Sequence, residues 1–207
     1  MVDLVIFDVD GTLVDSETKC LVALTMVVPE LNMSVEELSR LYRGRKLTWI
    51  FEDISERLEL QLPESIISDY RDAYTELVNE GLPAFPHVAE TLTALSGPCC
   101  VASNAPLAKI DMNLVAAGLD QFFPHNARFS AYEVKAWKPD PKLFLEASSA
   151  HSVAASSCVV IEDSAAGIEA SQAAGMTAVQ FLEPGAQQIC ELNFSDYREL
   201  PMLLSSL

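Results

Sequence analysis

Four short apolar runs, at residues 4–7, 99–103, 158–161 and 178–181, constrain what this chain can fold into more than any other feature. Each is too short to be a self-covering helix and none alternates regularly with polar residues. Each is therefore expected to be a strand buried on both faces, the mark of a parallel sheet. Between the later runs the helices have legible ends. Pro86 opens one that reaches about Leu95 and is stopped by Gly97-Pro98, Asp140-Pro141 starts another, and Ser164 caps a third that ends at Gly175. Strands joined by helices in this order form right-handed crossovers.

Residues 15–82 contain no convincing strand and read as helices over 17–28, from the capping box of Ser34 and Glu37, over 47–58 and over 63–79. The predicted fold is α/β: a Rossmann-like, doubly wound parallel sheet core at 1–15 and 82–207, with an inserted α-helical domain at 16–81. A chain of 207 residues with 50% hydrophobic content can bury a core of that size. An insert placed directly after the first strand is expected to lie over the sheet edge as a lid, hinged near Asp15-Ser16 and Gly81-Leu82-Pro83. Trp49 and Phe51 read as the insert's own core.

The first run ends in chemistry. In LVIFDVDGT, Asp8 and Asp10 leave the strand at its carboxyl edge, where open α/β sheets bind ligands, and Gly11 supplies a tight turn. Alone, such a string is explained as well by a surface turn. Three more elements bring polar groups to the same edge: Ser103-Asn104 after the second run, Lys138-Pro139-Asp140-Pro141 before a helix, and Glu162-Asp163-Ser164 after the third run. Ser164 also has a plain role as a helix cap.

This ordered set resembles the haloacid dehalogenase superfamily, in its phosphoglycolate phosphatase and β-phosphoglucomutase-like branch, over essentially the whole chain. The resemblance implies a Mg2+-dependent phosphatase in which Asp8 is the nucleophile and Asp10 the general acid and base. It implies that Gly11, Thr12, Ser103, Asn104 and Lys138 bind the phosphoryl group, and that Asp8, Asp10 (through its carbonyl) and Asp163 bind the metal. Glu162 fits three roles: direct ligand, ligand through water, or electrostatic support for Lys138. The insert resembles the family's helical cap in its four-helix C1 form. These residue types suit the reaction, because a phosphate dianion repels an attacking carboxylate unless cations neutralise both.

Arg43, Gly44, Arg45 and Lys46 form a dense basic cluster in an acidic chain, readable as a solvated loop or as a contact for the substrate's anionic part. The strings RGRKL and AWKPDP look like those of phosphatases of sugar phosphates and sugar-acid phosphates such as 6-phosphogluconate. A small phosphorylated metabolite is the expected partner.

Other functions fit less well. Dehalogenation needs neither a proton shuttle at Asp10 nor an acidic pair. A sugar-phosphate mutase shares the motifs but usually carries a histidine after the DGT turn, where this chain reads SETKC. A receiver domain has its phosphorylated aspartate on a later strand, and an EF-hand loop has its glycine at position six rather than four. A non-catalytic binding protein on the same fold is the alternative from another class. A net charge of −17 argues against nucleic acid as partner, and the oligomeric state is unknown from these residues. No run approaches the roughly 20 apolar residues of a membrane span. The start shows no export signal and the five cysteines form no CxxC or ligand-spaced cluster, so a cytoplasmic setting is expected.

Overall fold

The computed structural model describes residues 2–42, 45–183 and 185–207. The chain divides into two compact units, Met1–Val14 with Pro83–Leu207 and Asp15–Leu82. The first unit is built on a wholly parallel six-stranded sheet. Its strands are β1 (Leu4–Phe7), β2 (Cys99–Ser103), β3 (Arg128–Ser130), β4 (Cys158–Glu162), β5 (Thr177–Phe181) and β6 (Asn193–Phe194), in the order β3-β2-β1-β4-β5-β6. β1 and β4 are buried along their whole length, which their continuous apolar runs require.

The sheet is the doubly wound kind the sequence predicts, and its order changes direction between β1 and β4, where such sheets open a ligand crevice. Phe7 stands opposite Ile161, and the Asp8 N–H donates to the Ile161 carbonyl at 2.9 Å. Asp8 and Glu162 therefore leave the sheet side by side. β3 and β6 were not among the predicted strands. Both are edge strands of three and two residues, and an edge strand need not be apolar on both faces to pair.

The second unit contains α1 (Glu17–Val27), α2 (Val35–Tyr42), α3 (Leu47–Leu58) and α4 (Ile66–Asn79). Leu24, Leu38, Phe51, Ile54 and Ile66 gather into its core. The capping box forms as expected: the Ser34 N–H donates to Glu37 Oε2 at 2.8 Å, and the Glu37 N–H donates to Ser34 Oγ at 3.3 Å. α4 starts at Ile66, later than the predicted 63, because the residues after Pro63 form a separate turn closed by the Ile66 N–H on the Pro63 carbonyl. Trp49 corrects the sequence reading. It is 41% exposed, since a residue two positions from buried Phe51 lies on the opposite side of a helix, and the Arg45 guanidinium sits 4.9 Å over its ring. Arg45 and Lys46 are exposed, whereas Arg43 and Gly44 lie outside the described residues.

Around the sheet of the first unit stand α5 (Val88–Ala94), α6 (Leu107–Ala116), α7 (Ala131–Val134), α8 (Lys142–Ala150), α9 (Ala165–Ala173) and α10 (Leu200–Ser205). α5 begins two residues after Pro86, because His87 is in the left-handed region at φ 67° and cannot continue a right-handed helix. The cap predicted at Ser164 is present on α9, its Oγ accepting from the Gly167 N–H at 3.1 Å. At α8 the N-cap position falls to Pro141, one residue later than predicted, and Asp140 Oδ1 accepts from the Lys142 N–H at 2.9 Å. Near the C-terminus, buried Tyr197 packs on Phe181 and Phe194, and its hydroxyl donates to the Thr12 carbonyl at 2.8 Å. Among the described residues no helix is long and apolar enough to cross a membrane.

Candidate active site

The loop after β1 is held by its own backbone. Leu13 and Val14 N–H groups donate to the Val9 carbonyl at 3.0 and 3.1 Å, and the Gly11 N–H donates to the Val14 carbonyl at 2.9 Å. Gly11 has φ +84°, where side chains are strained, and a Cβ there would meet Asp163 Oδ2 at 2.7 Å. The glycine thus lets the Asp163 carboxylate lie against the loop. Thr12 Oγ1 completes that contact, donating to Asp163 Oδ1 at 2.9 Å.

Lys138 is buried and donates to Asp8 Oδ1 at 2.5 Å and to Glu162 Oε1 at 3.1 Å. Its backbone is gripped by Asn104: the Lys138 N–H donates to Asn104 Oδ1 at 2.8 Å, and Asn104 Nδ2 donates to the Lys138 carbonyl at 3.5 Å. The other Glu162 oxygen, Oε2, accepts from the Ser164 N–H at 3.0 Å and from Ser164 Oγ at 2.7 Å. Both oxygens of Glu162 are therefore engaged within the protein, one by the lysine and one at the start of α9.

Gly167 makes room for this arrangement, since a Cβ there would fall 1.9 Å from Glu162 Oε2. In an ordinary helix interior, Gly→Ala is favourable by about 1 kcal/mol. Here the collision reverses the sign, and Gly167→Ala is expected to destabilise by about 1–3 kcal/mol, as overpacking does. Urea denaturation measures this; a variant more stable than the parent would show that Glu162 has room to yield.

Among the described residues, the Lys138 ammonium is shared by Asp8 and Glu162, with Asp163 close by. Burial pushes the Asp8 carboxyl up to about 7; Lys138 pulls it back, while Glu162 and Asp10 push it further up. Asp163 is raised well above the usual carboxylate range, first by burial and then by Glu162 and Asp8, with Lys138 and the Thr12 bond opposing. For Lys138, burial disfavours the charge, but Asp8 and Glu162 outweigh it and hold the ammonium above the ordinary lysine range. These directions agree if cations are outnumbered at this edge. Asp8, Glu162 and Asp163 each offer one carboxylate oxygen within 4.8 Å of the others. An under-neutralised set of hard oxygens suits a divalent cation such as Mg2+.

The residues predicted for the site thus fall into groups. Asp8, Gly11, Thr12, Lys138, Glu162 and Asp163 come together at the ends of β1 and β4. Asn104 reaches the backbone of Lys138, and Ser103 is buried with its Oγ accepting from the Ala105 N–H at 3.1 Å. Asp10 turns to α6, where Lys109 Nζ and Asn113 Nδ2 meet its Oδ1 at 3.0 and 2.9 Å. Sequence reasoning missed Lys109, Asn113 and Tyr197. A signal existed for Asn113, a polar residue on the otherwise apolar face of α6 that includes Ile110 and Leu114.

Comparison with known proteins bears on this geometry. The chain is 32% identical over 183 residues to the 6-phosphogluconate phosphatase of Escherichia coli strain K12, covering 87% of this chain and 82% of that protein. It is 28% identical over 204 residues to the phosphoglycolate phosphatase of the same strain, covering 84% and 79% respectively. A haloacid dehalogenase-like protein from Agrobacterium tumefaciens strain C58 superposes with a TM-score of 0.86 at 28% identity, covering 100% of this chain and 99% of that one. The pattern of the haloacid dehalogenase-like hydrolases matches residues 5–181, a span that includes every carboxylate of the cluster, Lys138 and the whole inserted unit. By that match, the chain belongs to the haloacid dehalogenase-like hydrolase family.

Proposed function

We propose that this protein is a Mg2+-dependent phosphatase that hydrolyses a sugar phosphate or sugar-acid phosphate through an aspartyl-phosphate on Asp8. The observation that carries the reading is buried Lys138 bound to both Asp8 and Glu162, with Asp163 beside them, at the point where the strand order reverses. Carboxylates raised by burial and by one another around a single specific charge partner are the arrangement that functional sites use to tune their groups.

Asp8, Asp163 and the Asp10 carbonyl would hold the metal. When bound, Mg2+ supplies positive charge that lets a carboxylate and a phosphate dianion approach one another. The bonds made by Glu162 favour the role of support for Lys138 among those open to it. Asp8 attacks in line: its carboxylate oxygen bonds to phosphorus as the bond to the leaving oxygen breaks, and Asp10 gives that oxygen its proton. Water then attacks the phosphorus, Asp10 takes its proton, and the bond to Asp8 breaks to restore the carboxylate. Lys138, the Thr12 N–H and the Ser103 hydroxyl hold the phosphoryl oxygens, while Gly11, whose own N–H is given to the Val14 carbonyl, keeps the loop open to their approach. Asn104 acts by fixing the Lys138 backbone.

The choice of substrate is assigned to the inserted unit in the role of a cap, with exposed Arg45 and Lys46 as its cations for a second anionic group. The 6-phosphogluconate phosphatase among its relatives supports an acidic sugar phosphate. The test is phosphate release from sugar phosphates, sugar-acid phosphates, phosphoglycolate and nucleotides, with Mg2+ and with EDTA. Release from a sugar or sugar-acid phosphate is expected to be fastest and to fall to background with EDTA. Rates indifferent to EDTA, or interconversion of sugar-phosphate isomers with little phosphate freed, would overturn the reading.

A further inference from the structure

We infer that Lys109 and Asn113 are positioning residues for Asp10, and that they act on the reaction through its proton transfer and not through the phosphoryl group. The inference rests on the acid and base role proposed for Asp10. Lys109 and Asn113 are four residues apart on α6, so their side chains share one face of the helix. Both reach the same atom: Lys109 Nζ is 3.0 Å from Asp10 Oδ1 and Asn113 Nδ2 is 2.9 Å from it. Two donors from different points of a rigid helix, converging on one oxygen, set the plane of the carboxyl group as well as its location.

Asn113 is the stronger part of the observation. It is 0% exposed, between Ile110 and Leu114, which are buried against the sheet unit. An amide in such a place costs free energy unless it is hydrogen-bonded, so its bond to a carboxylate at the tip of the β1 loop is the compensation on view. Lys109 is part-exposed and brings the cation that Lys138, committed to Asp8 and Glu162, does not bring to this carboxylate. All three residues belong to the same compact unit. A proton donor must lie within hydrogen-bond reach of the departing oxygen, and small displacements of a catalytic group lose much of its effect.

The consequence is a dependence on the leaving group. An alkoxide leaves poorly without a proton, whereas p-nitrophenolate leaves without one. The experiment measures kcat/KM, which reports the steps up to the first loss of leaving group, for the alkyl phosphate the enzyme hydrolyses fastest and for p-nitrophenyl phosphate. Lys109→Met, at a part-exposed site, and Asn113→Ala are each expected to lose about 10- to 100-fold on the alkyl ester and less than about 3-fold on the aryl ester. Asp10→Asn should show the same split more strongly, Lys109→Arg should restore most of the loss, and Lys109→Met added to Asp10→Asn should cost nothing further.

Equal losses on the two esters, or a rise in KM alone, would assign Lys109 to substrate binding and overturn the inference. So would losses that add to those of Asp10→Asn. If Asp10→Asn shows no split, the role of Asp10 and the inference fall together; if it does and the α6 variants do not, the inference alone fails. Should Asn113→Ala not fold, Lys109→Met still decides.

Discussion

Asp8→Asn is expected to lower kcat by on the order of 10^4- to 10^6-fold, the scale on which enzymes lose rate when a nucleophile is removed. The amide matches the carboxylate in shape but cannot form the acyl phosphate, so no phosphoryl group should be trapped on the protein after acid quench. Folding should move the other way. Asp8 sits in a buried site that pushes its carboxyl up to about 7, and Asn removes one charge from an over-acidic cluster while Lys138 keeps Glu162. A group whose folded pKa lies above its unfolded value contributes stability present below the unfolded value and lost as pH rises through the folded one. Asp8 therefore costs stability in the metal-free protein as pH rises from about 3.8 through about 7. Metal-free Asp8→Asn should melt at or above the parent temperature at pH 8, with the difference shrinking toward pH 4. Thermal melts in EDTA and single-turnover phosphate release check both halves. A variant that keeps even a tenth of its activity would exclude Asp8 as the nucleophile.

Lys138→Met is expected to abolish activity and also to destabilise, by about 3–5 kcal/mol at neutral pH, the cost of leaving a buried charge without its partner. The methionine fits the space beside Phe144, over whose ring the ammonium lies at 5.0 Å, so packing alone would not account for such a loss. The ammonium is held above its ordinary range, so it stays charged through acid and neutral pH, and the pH dependence of its loss follows the carboxylates around it. Without it, Asp8 and Asp163 lose a charge that lowers their pKa, and both are driven further up. The penalty should be smallest near pH 4, close to the ordinary carboxylate value of 3.8, where keeping Asp8 and Asp163 neutral in the fold costs little, and should grow through neutral pH. Urea denaturation at pH 4.5 and pH 8 measures it. A penalty equal at the two pH values would mean that Lys138 matters for packing and not for charge.

The two variants differ because Asp8 is surplus charge in the fold and Lys138 is scarce charge, a contrast invisible along the chain. The motif string places Asp8 at the end of a buried strand by hydrophobic pattern alone. Which charges outnumber which depends on β1 and β4 being neighbours and on the buried depth of Lys138. Glu162 is the clearest case. By its position it could be a ligand or a support, and the support role proposed for it rests on the bonds from Lys138 and Ser164 and the close approach of Gly167, none of which the sequence displays. Trp49 differs from its sequence expectation for a related reason: an aromatic next to apolar residues reads as core, but helical phase turns it outward.

The local pattern of the sequence determined the buried strands, the capped helices, the helical stretch between the first and second strands, and the residues that bring carboxylates and a lysine to one edge. These are properties of near neighbours, where burial and turn chemistry act over a few positions. Tertiary structure alone decided the edge strands β3 and β6, the anchoring of Thr12 by Tyr197, and the turning of Asp10 toward Lys109 and Asn113. Each of these joins residues far apart in the chain by a hydrogen bond or ion pair. Such a bond leaves no periodicity in the sequence and forms only once the sheet has brought its partners within about 3 Å.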